Sequence, residues 1–210
     1  MISLSEILHT IAQALMIPCL IILIILMAGA VWQIGDIVVE YIAERRKHKC
    51  NVPQLLRDVH AEGADGLAEL IENSGLLRRQ KKALLELAES RGLPKDTLTA
   101  LAERLLATEE ARNARTTSIT DMIAKLGPMF GLLGTLIPLG PGIVALGQGD
   151  TVTLSESMNV AFDTTIAGVI SAAVASVISH IRKRWYNDDM VSLETLMEAV
   201  LEEVTSDVEG

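Results

Sequence analysis

Hydroxyl-bearing and very small residues recur at helical spacing inside stretches of this chain that hold no basic side chain. Gly127, Gly131 and Thr135 stand four apart, as do Thr164, Gly168, Ala172 and Ser176, continuing to His180, with Thr165 one position along. Residues four apart share one face of a helix. In lipid there is little hydrophobic drive between helices, so small residues matter because they let two backbones approach closely. A threonine hydroxyl both donates and accepts hydrogen bonds. Several of them together can hold water and solvate a carboxylate without burying a fixed charge. The same hydroxyl can instead bond back to the carbonyl three or four residues earlier in its own helix, and spacing alone leaves both roles open. Asp163 is the one acid in this region. An acid inside a span is costly and usually marks a pathway, whereas near the outer end it can be wetted or can cap the helix start. At 100° per residue it points about 200° away from Thr165.

The elements that must position these residues are set by charge. All 18 Lys and Arg fall within Arg45 to Lys125 and Arg182 to Arg184. Between Glu6 and Asp36 lie 29 uncharged residues, between Lys125 and Asp150 another 24, and the 25 residues from Ser157 to Ile181 are interrupted only by Asp163. A hydrocarbon core roughly 30 Å thick needs about 20 apolar residues of helix, so each stretch can cross once. The expected fold is an all-α membrane protein with three transmembrane helices and long cytoplasmic helical extensions. Bases flanking a span stay cytoplasmic. Arg45, Arg46, Lys47 and Lys49 after the first span, Lys125 before the second, and Arg182, Lys183 and Arg184 after the third all land inside if the N-terminus is outside. Those bases would also touch anionic headgroups. No base precedes residue 45, so the first span reads as a retained anchor, not a cleaved signal.

Four segments follow: residues 1–39 with the first span, a cytoplasmic amphipathic region over 40–125, a hairpin of spans over 126–181, and a C-terminal helix over 182–210. In the second segment Leu84, Leu87, Leu98, Leu101, Leu105 and Leu106 recur at helical spacing, which predicts two or three helices. Breaks are expected at Gly63 and Gly66, at Asn73 to Gly75 and at Arg91 to Pro94. From Lys95 a helix should run to about Ala124 and on into the second span. The segment is too thin in apolar bulk for a large core of its own. Leu193, Met197, Val200 and Val204 stripe the tail, with Leu196 and Leu201 beside them, as though to pack a helical collar against neighbours. A polar loop of about ten residues, Gly149 to Met158, should join the hairpin. Pro128, Pro138 and Pro141 can kink the second span.

Composition excludes several classes. A net charge of −9 argues against a nucleic-acid partner, which demands a basic stripe. Cys19 in mid-span and Cys50 lie at different depths and cannot form a disulfide. His9, His48, His60 and His180 share no ligand spacing, so neither a metal nor a cofactor is expected. No cluster of nucleophile, base or metal suggests an enzyme, and three unequal spans lack the inverted repeats of a transporter.

Gly127-Pro-Met-Phe-Gly-Leu-Leu-Gly-Thr135 resembles the first motif of the MotA/TolQ/ExbB proton-channel family, and Thr164-Thr-Ile-Ala-Gly168 resembles its second. Three spans look like the TolQ and ExbB branch. The resemblance implies a homo-oligomeric ring, usually a pentamer, in the inner or plasma membrane around the single spans of an ExbD/TolR/MotB-like partner. That partner carries an aspartate which takes up and releases the proton, and ion flow drives mechanical work. By the match, Thr135 and Thr165 would line the ion pathway, with Thr164 and Asp163 beside them. Gly127, Gly131, Gly134, Gly168, Ala172 and Ser176 would pack around the partner. The chain departs from the family at Val160, where many members have an acid, and at Pro138 and Pro141. A membrane scaffold without conduction is the alternative, and whether the ion is proton or sodium stays open.

Overall fold

The computed structural model describes residues 4–45, 51–63 and 66–209. Arg46, Lys47, His48, Lys49 and Cys50 lie outside the described residues. All elements are helical: α1 (Leu4–Ala14), α2 (Met16–Glu40), a π-helical turn (Tyr41–Arg45), α3 (Val52–Glu62), α4 (Leu67–Asn73), α5 (Arg78–Glu89), α6 (Lys95–Gly147) and α7 (Thr151–Glu209). Three helical stretches are long and apolar enough to cross a membrane, within Glu6–Ala43, Lys95–Gly147 and Thr151–Ser206. The join of α1 to α2 at Leu15 has a simple cause: Pro18 offers no N–H to the carbonyl of Ala14, four residues earlier.

The chain divides into two compact units, residues 1–37 with 117–181 and residues 38–116 with 182–210. The long helices α6 and α7 contribute to both. In the first unit α2 packs on the hairpin through Leu26 and Ala30, which meet Ile123 and Ala175, with Leu126, Phe130 and Val174 at the margin. The Cys19 thiol donates to the Phe130 carbonyl at 3.4 Å.

The second unit has a core built by α3 to α7: Leu55 and Val59 of α3, Leu67 and Ile71 of α4, Leu84 and Leu87 of α5, Leu98 of α6, and Leu193, Leu196, Met197, Val200 and Val204 of α7. The tail stripe is therefore spent inside its own chain. That differs from the expected collar, and it explains how a segment thin in apolar residues builds a core. Breaks fall as expected, with Gly63 at φ 67° and a turn over 90–93. Gln80 is buried and ties two elements, accepting from Leu77 N at 3.2 Å and donating to the Asp189 carbonyl at 3.0 Å.

The prolines do not break α6, which runs through Pro128, Pro138 and Pro141 without interruption. Proline is tolerated in membrane helices where neighbouring helices steady the local backbone, and here Gly127, Gly131 and Gly134 lock that segment onto α7. One expectation is corrected: the ten-residue loop shrinks to Gln148–Asp150. Gly149 takes φ +79°, the Asp150 N–H reaches the Ala145 carbonyl at 2.9 Å and the Gly149 N–H reaches Leu146 at 3.0 Å. This is the paired closure of a left-handed glycine cap. Asp150 then caps α7, its Oδ1 accepting from the N–H groups of Val152 and Thr153, each at 3.1 Å.

Arg182 also differs from its expected place at lipid headgroups. It is 2% exposed and pairs with Glu40 at 3.1 Å. Nearby in the same unit, Tyr41 and Trp185 stack with ring centroids 6.1 Å apart.

Candidate functional site

The hairpin of α6 and α7 closes on its glycines. A Cβ built on Gly127 would lie 2.7 Å from the Gly168 carbonyl oxygen, and one on Gly168 would lie 2.5 Å from the Gly127 carbonyl oxygen and 2.8 Å from Gly131 Cα. One on Gly134 would meet the Thr164 side chain at 2.6–2.9 Å, and one on Gly142 would meet Ser157 Cβ at 3.0 Å. The register is antiparallel: 127 faces 168 and 172, 134 faces 164, and 142 faces 157. Gly127, Gly131, Gly134, Gly168 and Ala172, expected to pack around a partner, thus face one another within the chain. Small residues are needed here because backbone meets backbone.

Thr164 belongs to that seam. It is 5% exposed, and its hydroxyl donates to the carbonyls of Val160 at 3.0 Å and Ala161 at 2.9 Å. It was expected on the ion pathway; the structure turns it into the hairpin interior, because Gly134 leaves a hole for its side chain.

Thr135 and Thr165 each follow a seam residue, Gly134 and Thr164, by one position. Each is therefore rotated 100° from the seam. Because the helices run antiparallel, equal forward rotations emerge on the same side of the hairpin. Both threonines are half-buried there, and Ser176, eleven residues after Thr165, falls on the same side. One position before the seam residues come Leu133 and Asp163, on the opposite side. That opposite side is where α2 packs, through Leu126, Phe130 and Val174. The first span covers one flank of the hairpin, and the two threonines occupy the other.

Asp163 is exposed and lies twelve residues after the start of α7 at Thr151. It caps nothing, since Asp150 performs that role, and it does not share a flank with Thr135 and Thr165.

Both flank hydroxyls are back-bonded, Thr135 donating to the Leu132 carbonyl at 2.7 Å and Thr165 to Ala161 at 3.0 Å. Each oxygen then turns its lone pairs outward. Such a surface accepts a hydrogen bond from water, from a protonated carboxylic acid, or coordinates a cation; rotating the hydroxyl restores a donor for a carboxylate. The two roles left open by the sequence are therefore compatible.

Below the aliphatic layer of Leu26, Ala30, Ile123 and Ala175, the first unit turns polar. The Thr120 hydroxyl donates to Gln33 Oε1 at 2.8 Å, the Ser179 hydroxyl donates to Asp121 Oδ1, and Thr117 is buried. This layer was not foreseen. Its sequence signal is that the stripe running back from Gly134 and Gly127 continues as Thr120 and Thr117, so the buried face changes character without breaking period. Among the described residues no group of His, Cys, Asp and Glu could hold a metal.

The sequence model of the MotA/TolQ/ExbB proton channel family matches residues 70–195. The chain belongs to that family. The match takes in α5, all of α6 and most of α7, and thus the whole hairpin. No curated protein matches the chain. With three apolar helices and this family, the protein is a multi-pass protein of the cell membrane, of the three-span kind. The family is one of channels working in membrane complexes with single-span partners, not an enzyme class.

Proposed function

We propose that this chain is the channel-forming stator subunit of an energy-transducing complex, in which ions descending the proton motive force do mechanical work on a single-span partner. The observation that carries the proposal is the shared flank of Thr135 and Thr165, which the first span leaves uncovered. In a ring of copies, a pentamer by family likeness, that flank faces the axis, and the partner's span fills the axis with an aspartate at the level of the threonines. The N-terminus lies outside and the C-terminus in the cytoplasm.

The chemistry is modest. One charge crossing 100 mV releases about 2.3 kcal/mol, so several ions must be spent on one large motion. In its neutral form the partner's carboxylic acid donates its proton in a hydrogen bond to a threonine oxygen. In its charged form it accepts one from the rotated hydroxyl. Neither state is left unpaired in a low-dielectric setting, and the acid can therefore load and unload without a large desolvation penalty.

The test is the double variant Thr135→Ala, Thr165→Ala, copurified with its partner and reconstituted in vesicles. The expected result is an intact assembly with the potential-driven proton flux lost. An intact assembly with unchanged flux would leave the hairpin as a scaffold only.

A further inference from the structure

The first span is an almost uniformly aliphatic rod, and hydrophobicity alone does not say which side of it meets the hairpin. Ile17, Ile21, Ile24, Ile25 and Val31 are exposed, while the buried side chains of α2 are Cys19, Leu23, Leu26, Ala30 and Gln33. Lipid tails are as apolar as leucine, so turning one aliphatic side or another toward them changes little. The buried set is spaced four, three, four and three residues apart, the heptad spacing of a helix packed along one seam. A slide of α2 by one heptad is about 10 Å at 1.5 Å per residue, and it repeats the seam: Leu23 takes the place of Ala30, and Leu26 that of Gln33. Size opposes the slide at Ala30, but the strongly directional contact is at Gln33. The Thr120 hydroxyl donates to Gln33 Oε1 at 2.8 Å, with Thr120 fully buried and Gln33 7% exposed. At the outer end of the seam the Cys19 thiol, a weak donor, makes only a 3.4 Å bond.

We propose that Gln33, acting through Thr120, is the positioning residue that sets the height and rotation of the first span on the hairpin, and so holds that span on the flank away from Thr135 and Thr165. A slide or turn of α2 separates the amide from the hydroxyl and leaves both among hydrocarbon, where polar groups without partners are costly. A single polar residue in an otherwise apolar heptad seam fixes register in this way in coiled coils, and glutamine and threonine bond across membrane helices likewise. The aliphatic seam supplies the contact area, and Gln33 selects one setting among several that the area alone would accept. The positioning itself is independent of conduction; its consequence for ion flow rests on the channel reading above.

Spin labels on Ile24→Cys and Val177→Cys, exposed positions of α2 and α7, report the setting as a distance distribution in vesicles holding the copurified complex. The labelled chain carries Cys19→Ala and Cys50→Ser and is diluted among unlabelled copies. The expected result is one narrow distance in that background, and a second population displaced by several ångström in both Gln33→Leu and Thr120→Val, with assembly retained. Thr120→Ser keeps the donor and is expected to return the single distance. A role in filling space alone predicts the single distance throughout, because leucine and valine match the side chains they replace in size. A parent-like distance in either Gln33→Leu or Thr120→Val overturns the proposal, as does a second population already present with Gln33 and Thr120 intact. Failure of these variants to fold also overturns it, since losing a positioning contact leaves the aliphatic seam in place. In the same vesicles proton flux is expected to fall several-fold in the two displaced variants and to recover in Thr120→Ser. Displacement with parent-level flux overturns the link to the threonine flank. Absence of flux in the parent complex overturns the channel reading and leaves the positioning result standing.

Discussion

Gly168 is the residue at which the hairpin has least room. A methyl group there would press on the Gly127 carbonyl and on Gly131 Cα, and backbone atoms cannot turn aside as a long side chain can. Gly168→Ala is expected to destabilise the hairpin by about 1–3 kcal/mol, the usual cost of overpacking, read as lower thermal stability in detergent. Gly140→Ala, in the other helix of the hairpin and with nothing within 4 Å of its Cβ position, should leave stability level or raise it, since alanine is the better helix former. Asp150 makes a second prediction. Its bonds to Thr153 hold its carboxyl below the ordinary carboxylate range. A lowered value means that the folded turn favours the anion, so the stabilisation is present above the ordinary carboxylate pKa and fades as pH falls through the lower folded value. Amide exchange at Val152 and Thr153 should therefore quicken only in strong acid. In Asp150→Asn, which still caps, that acid step should vanish.

Helices α2 and α7 are joined beyond the spans by Glu40, Arg182 and Tyr186. A buried ion pair repays its desolvation only with good geometry and further hydrogen bonds, and Tyr186 supplies one. Burial first, then the Glu40 charge and its hydrogen bond, push the Tyr186 phenol up to about 12. The folded value lies above the unfolded one, near 10. Stability from this group is thus complete below about pH 10 and is lost as pH rises toward 12. A tyrosinate absorbance titration should show a late step that Tyr186→Phe abolishes. At this scale the sequence was informative where periodicity speaks and silent where distant residues meet. The three spans, the breaks around α4 and α5, and the tail stripe follow from local spacing. That Arg182 would leave the headgroups for Glu40, 142 positions away, has no local sign, and neither does the partnership of Asp121 with Ser179. Ser155, Glu156 and Ser157 are polar and read as loop, whereas the left-handed turn at Gly149 and the cap from Asp150 let the helix begin at once. The three prolines sit inside an uninterrupted α6.

For the whole molecule, the small stripes were legible as packing surfaces, but not what they pack. A single chain uses them to close its own hairpin. Thr135 and Thr165 share the flank beside the seam, Thr164 lies within the seam, and Asp163 lies on the other side. Leu132, Leu136, Ile166 and Val169 are among the aliphatics exposed on the hairpin, and in the proposed ring they are the surface available to neighbouring copies and to lipid. The measurement that bears most directly on this account is an image of the assembled complex in a membrane mimic, detailed enough to orient side chains in the spans. The account predicts Thr135 and Thr165 of every copy turned to the axis around a partner helix, with its aspartate at their level. Threonines turned to the lipid, with Leu132, Leu136 and Ile166 filling the axis, would contradict it.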